Sequence, residues 1–196
     1  MEPMVISHYG RGMVKVVHGD LVVVFNPMGD GAGLKPVKFG ADLALISLND
    51  PAYNGVANVS RGERVPFVID GAGEYEVSGV FVQGWATPGP AGRINTVYAL
   101  TFDGLKLVHL GALTAPELSP AVVEGLGEID VLFIPVRLAK TDLEAKLVIP
   151  VEFEDDDLKK FLKEWGGESR SPVESLALKR KDLSDKADQV AVIKSY

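Results

Sequence analysis

The first two thirds of the chain are a succession of short apolar, β-branched runs broken by Gly, Pro, Asn and Asp, the pattern of strands and turns. Met13 to Val17 and Leu21 to Phe25 are joined by His18-Gly19-Asp20, which predicts a hairpin because glycine supplies the positive φ of a tight turn. Asn26-Pro27 stops the second strand, and Met28 to Lys38 reads as a loop. Leu43 to Leu48 predicts a short buried strand. Pro66 to Ile69 and Tyr75 to Val82 follow, separated by Asp70-Gly71-Ala72-Gly73. The Gly- and Pro-rich stretch Trp85 to Arg93 reads as an exposed loop. Ile94 to Phe102 and Leu105 to Leu110 flank Asp103-Gly104, the clearest type I′ hairpin in the chain.

The period changes further on. Ser119 is placed to cap a helix with Pro120 at its first position, and Val122, Val123 and Leu126 give that helix an apolar face. Val131 to Val136 and Lys146 to Val151 return to buried strands. Asp155 to Trp165 predicts a helix with Leu158, Phe161, Leu162 and Trp165 on one stripe. Its aspartates sit at the positive end of the helix dipole, and Gly166 ends it. Ser175 to Lys179 and Gln189 to Lys194 read as two last strands, with the basic run Lys179-Arg180-Lys181 as a solvated strand. Strands covered by few helices give an α+β layered domain.

Composition narrows the function classes. At 196 residues the chain suits one well-buried domain, 1–196, and 46% hydrophobic with 24% charged residues is the balance of a globular protein. A formal charge of -7 disfavours a nucleic-acid partner. There is no cysteine, so disulfides, thiolate metal sites and cysteine nucleophiles are all excluded. No basic region followed by a long apolar run opens the chain, and no run is long enough to span a bilayer. A cytoplasmic protein without a membrane partner is expected.

The order of segments resembles the metallo-β-lactamase superfamily, in particular its short Zn-dependent-hydrolase-like branch that includes ascorbate-phosphate lactonases. The likeness runs from about Val5 to the C-terminus, and its early hairpin ends in Phe25-Asn26-Pro27, where the family has an Asp-Pro turn. The strand Ala44-Leu45-Ile46 then delivers Ser47-Leu48-Asn49-Asp50-Pro51-Ala52-Tyr53, where the family has T-H-x-H-x-D-H. Gly73-Glu74-Tyr75-Glu76-Val77 with Gly79-Val80, Asn95 and the Asp103-Gly104 hairpin continue the match. His109-Leu110-Gly111-Ala112-Leu113 resembles the H-x-G-D segment. Glu128 to Val136 resembles the next core strand, and Val148-Ile149-Pro150-Val151-Glu152-Phe153 the I-P-x-H-Y strand. The resemblance implies a four-layer αβ/βα sandwich in which imidazoles and carboxylates hold two metals and a bridging hydroxide attacks the substrate.

Carried over position by position, the metal ligands are missing. The three motif histidines fall on Leu48, Asp50 and Tyr53, and the motif aspartate on Ala52. The bridging aspartate falls on Ala112 and the last histidine on Glu152. A further family histidine would fall between Thr87 and Gly89, where there is none. Leu and Ala donate nothing, and Asp50, Glu152 and Tyr53 alone do not make a zinc site. No cofactor is expected; weak Mg²⁺ or Ca²⁺ binding, completed by water, is the residual metal chemistry of this set. The family's full helix between Pro135 and Pro150 has only Arg137 to Lys146 to occupy, so it is shortened or absent.

The candidate site is therefore a remnant: Asn49, Asp50, Tyr53 and Glu152, with His109 on the strand leading toward it. Asp50 and Glu152 could act as an acid/base pair if one raised the other's pKa, or could simply face water. His8 and His18 are isolated histidines with local structural roles. Gly71-Ala72-Gly73 precedes a strand pattern rather than a helix, so it is not a nucleotide loop. Ser47, Ser119 and Ser171 lack a nucleophile-elbow setting. Two functions follow: a zinc-free, non-catalytic binding or scaffold protein for a small molecule or protein, or an atypical hydrolase of phosphoesters or lactones using Asp50 and Glu152.

Overall fold

The computed structural model describes residues 2–138, 141–165, 171–183 and 189–195. Two sheets face each other across one core. The first contains β1 (Met4–His8), β2 (Val14–His18), β3 (Leu21–Phe25), β4 (Leu43–Leu45), β5 (Phe67–Ile69) and β12 (Leu176–Leu178), in the order β12-β1-β2-β3-β4-β5. The second contains β6 (Gly73–Val77), β7 (Val80–Pro88), β8 (Ile94–Phe102), β9 (Leu105–His109), β10 (Ile129–Pro135), β11 (Ala145–Val151) and β13 (Gln189–Val190), in the order β13-β11-β10-β9-β8-β7-β6. Hairpins and the β1–β12 pairing make the antiparallel parts; β3, β4 and β5, and likewise β9, β10, β11 and β13, run parallel.

The two-residue period of the strands explains the layering. Val23, Phe25, Leu43 and Leu45 face Tyr98, Leu107, Val131, Phe133 and Ile149 across the central core. Their neighbours Val24, Ala44 and Ile46 point outward, onto Met13, Met28, Ala32 and Val59. That outer layer is built from the loop between β3 and β5 and a 3-10 helix at Val56–Val59. On the second sheet, Val97, Val108, Leu132, Ile134 and Val148 pack against α1 (Pro120–Leu126) and α2 (Asp155–Glu164) through Val122, Leu126, Leu158 and Phe161. The α+β metallo-β-lactamase-like sandwich expected from the sequence is thus the observed architecture. Among the described residues no helix is long and apolar enough to cross a membrane.

Several elements differ from the sequence reading. Tyr75 to Val82 is two strands, not one: Val77 pairs with Val80 across a tight turn in which Ser78 (φ 52) and Gly79 (φ 76) are both left-handed. Trp85 to Arg93 is not all loop, because β7 continues to Pro88 paired with β8, and only the last residues leave the sheet. Cross-strand pairing overrides the weak strand propensity of that stretch. The Asp103-Gly104 turn has the expected positive φ at both residues (48 and 72).

Ser119 holds the N-cap position of α1 without a side-chain capping bond; its carbonyl accepts from Val122 and Val123 N–H. Val123 is 38% exposed and is not part of the buried face. Lys179-Arg180-Lys181 is no strand: Arg180–Asp182 forms a 3-10 turn whose Asp182 carboxylate accepts from Lys179 N–H. The last strand is cut to Gln189–Val190, and Gly166 lies outside the described residues. The link between β10 and β11 is residues 136–144, shorter than the dozen or more usual for a parallel crossover. It opens with a 3-10 helix, Val136–Leu138, and its described residues hold no α-helix.

Candidate functional site

Open sheets of parallel strands place their sites at the carboxyl ends of the strands. Here β3 and β4 from one sheet and β9, β10 and β11 from the other end on the same side of the molecule, and Asp50, Tyr53, Ala112, Arg137 and Glu152 all sit in the segments that follow them.

After β4 the chain makes a tight turn in which Tyr53 N–H and Asn54 N–H both donate to Asp50 O at 2.8 Å. The turn leaves Leu48 and Ala52 buried, the former 2% exposed and the latter packed in the outer core. Asp50 Oδ1 accepts from Ala52 N–H at 3.0 Å, and Arg93 Nη1 donates to Oδ2 at 2.9 Å. The Ala52 N–H first, and then the Arg93 guanidinium, hold the Asp50 carboxyl below its usual range. The expected acid/base pairing needs one carboxyl raised; Asp50 moves the other way.

Tyr53 is half-buried and burial raises its phenol, so the hydroxyl keeps its proton. That hydroxyl donates to Glu152 Oε1 at 2.5 Å. Glu152 follows β11 in a left-handed conformation (φ 55), anchored by its N–H to Arg11 O at 2.9 Å. Its Oε2 is bonded by Arg137 Nη1, while Arg137 Nη2 donates to Leu113 O at 3.1 Å. A Cβ on Gly12 would stand 3.0 Å from Glu152 Oε1 and 3.5 Å from Tyr53 Cε1. A side chain here would have to push the Glu152 carboxylate aside by a few tenths of an ångström.

His109 lies beneath the site and is fully buried. Gly111 N–H donates to its Nδ1 at 2.9 Å, which places the ring proton on Nε2, donating to Gly12 O at 2.9 Å. Burial holds its pKa down to about 3. The ring stacks on Phe25 with centroids 5.3 Å apart. Both nitrogens are engaged, so His109 supports the site from behind. Asn95 organises the turn after β9: Ala112 N–H donates to its Oδ1 at 2.7 Å, and its Nδ2 donates to Leu110 O and Thr87 Oγ1. Ala112, where the family has a bridging aspartate, is 1% exposed.

The sequence candidates thus separate. Asp50, Tyr53 and Glu152 meet in one cluster. Asn49 is exposed, bonded by Asn54 Nδ2 at 3.1 Å, and makes no bond to Tyr53 or Glu152; with Asp30, Asp50 and Asn58 it lines a cavity of about 320 Å³. Three residues of the cluster escaped the sequence reading: Arg11, Arg93 and Arg137. Arg11 and Arg93 sit in turns and Arg137 in the 3-10 helix after β10, and no spacing rule links them.

A dinuclear metal centre does not fit these residues. Leu48, Ala52 and Ala112 have no metal-donor atoms in their side chains, and each carboxylate is already bonded to a guanidinium. Among the described residues no three His, Cys, Asp or Glu side chains group as a metal site.

Residues 6–152 match the family model of the beta-lactamase superfamily domain. The chain matches no curated protein. Among solved structures it is similar to a protein from Thermotoga maritima described as a Zn-dependent hydrolase of the metallo-β-lactamase superfamily, at 26% identity and TM-score 0.76, covering 98% of this chain and 100% of that one. It also resembles the metallo-β-lactamase fold protein YhfI of Bacillus subtilis at 11% identity and TM-score 0.59, covering 99% and 98%. A third likeness is to Igni18, a metallo hydrolase of Ignicoccus hospitalis, at 11% identity and TM-score 0.58, covering 90% and 99%. The last two likenesses concern the fold alone.

Proposed function

Since the chain belongs to the metallo-β-lactamase superfamily, and both acidic side chains at its ligand positions are closed by arginines, we propose that it is a zinc-free, non-catalytic member that acts by binding. The supporting observation is the pairing of Asp50 with Arg93 and of Glu152 with Arg137 and Tyr53. Charge-assisted hydrogen bonds of this kind are about twice as strong as neutral ones. A divalent cation entering here would have to break them and stand beside two positive charges. The guanidiniums take over the neutralising role of the metals without their Lewis acidity.

A hydrolase working through Asp50 and Glu152 has no comparable support, because Asp50 is held as the carboxylate and its two oxygens are both bonded. Elemental analysis of untagged protein, run beside assays with an aryl phosphate and a simple lactone, tests the reading. Background zinc and no turnover are expected. Near-stoichiometric zinc together with turnover refutes it, as does a turnover that disappears in both Asp50→Ala and Glu152→Ala.

A further inference from the structure

Asn54 precedes Gly55 on the loop that also carries Asp50 and Tyr53, and no other asparagine in the chain is followed by glycine. Asparagine before glycine is chemically labile, because the glycine nitrogen has no neighbouring side chain to hinder its attack on the asparagine amide. The fold imposes this pair. A Cβ on Gly55 would collide with the Met28 carbonyl group and with Gly29 N, so no bulkier residue fits there.

In the closed loop the two reacting groups are each held by a different partner. Gly55 is buried and its N–H donates to Pro27 O at 2.7 Å, out of reach of a base. Asn54 is exposed, and its Nδ2 donates to Asn49 Oδ1 at 3.1 Å. Two backbone bonds fix the loop around them: Asn54 N–H to Asp50 O at 2.8 Å, and Gly29 N–H to Pro51 O at 2.7 Å. Reaction needs the Gly55 N–H released and the Asn54 amide turned toward it, so the loop has to open first.

We propose that Asn54 is a site of spontaneous deamidation, gated by opening of the loop 50–55, and that its conversion unfastens that loop. The Gly55 nitrogen loses its proton and bonds to the side-chain carbonyl carbon of Asn54; the bond from that carbon to Nδ2 breaks, and ammonia leaves with the proton. Water then opens the cyclic imide at either carbonyl, giving aspartate or isoaspartate at position 54. Water is the only co-reactant, and nothing is oxidised or reduced. Either product loses the donor to Asn49 Oδ1 and sets a further carboxylate beside Asp30 and Asp50, around the cavity of about 320 Å³. Isoaspartate also lengthens the backbone by a methylene where Gly55 meets Met28. The turn that positions Asp50 and Tyr53 is thereby strained. No metal takes part, so the inference stands apart from the zinc-free reading.

The test is incubation of the full chain in mildly alkaline buffer, folded and in urea, read by peptide mass spectrometry. In urea Asn54 is expected to convert ahead of Asn26, Asn49, Asn58 and Asn95, giving both aspartate and isoaspartate. In the folded chain the same residue should convert at least about tenfold more slowly, because the open loop is a minor population. Asn49→Ala removes the acceptor of Asn54 Nδ2 and should speed conversion in the folded chain by about two- to tenfold, the value of one hydrogen bond, without changing the rate in urea. Asn49→Asp keeps an acceptor oxygen and should leave the folded chain slow. Asn54→Asp, the product made directly, should melt about 2–4 °C below the parent. Equal rates in the fold and in urea, or no preference for Asn54 in urea, overturn the proposal. So does a folded Asn49→Ala chain that converts no faster than the parent, or an Asn54→Asp chain that melts with it.

Discussion

With Nδ1 accepting from Gly111 and Nε2 donating to Gly12, His109 has no lone pair to offer a cation and no room for a second proton. Its pKa falls from 6.5 in the unfolded chain to about 3 in the fold. Between those values the unfolded state binds the extra proton and the native state does not, so stability present at neutral pH is lost as the pH falls through that window. One group contributes a slope of at most about 1.4 kcal/mol per pH unit. Burial lowers His8 in the same direction, so it adds to the effect. Urea unfolding at about pH 7 and about pH 5 should show a smaller difference for His109→Gln than for the parent, with the His8 share remaining. An equal pH dependence in the two proteins would remove His109 from the account. Gly12 is the other residue on which the site turns. Gly12→Ala puts a methyl 3.0 Å from Glu152 Oε1 and should cost about 1–3 kcal/mol in the same assay, as overpacking does.

Turn chemistry decides which elements could be read from the chain. Asp103-Gly104 was legible because an acidic residue before glycine interrupts two apolar runs, and both residues take positive φ. Ser78-Gly79 has the same geometry but is flanked by Val77 and Val80, so the apolar pattern runs through it and hides the hairpin. The β7 extension from Trp85 to Pro88 was obscured for the opposite reason: its glycine and proline neighbours signal a loop, and only pairing with β8 makes it a strand. Because Ser78 holds φ 52 without the tolerance of asparagine for that region, Ser78→Asn should stabilise the protein by a few tenths to about 1 kcal/mol, seen as a higher melting temperature. Ser78→Val should lower it. The stripe on α2 was legible from its spacing, and Leu158 and Phe161 do face the second sheet.

At the scale of the whole molecule the candidate site is a clasp between the two sheets. Tyr53, from the segment after β4, bonds Glu152, just past the end of β11, and Gly12, in the turn between β1 and β2, accepts from His109 of the second sheet. The absent donors at Leu48, Ala52 and Ala112 could be read from residue order alone. The arginines around the carboxylates could not, since positions 11, 93 and 137 converge only through the fold. Removing one side of the clasp should loosen both sheets: Arg137→Met should cost about 1–3 kcal/mol, below the range for a fully buried pair because Arg137 is partly exposed. Glu152→Gln in the same chain should recover part of that loss, and a double-mutant cycle without coupling would deny the pair any role. The pairing of Met4 with Leu178 has a separate outcome during synthesis. At roughly 5–20 residues per second a ribosome needs roughly 10–35 seconds to travel from one to the other. Through that interval the outer edge of β1 has no neighbour, so a nascent chain stalled before β12 would present a bare strand edge open to intermolecular pairing.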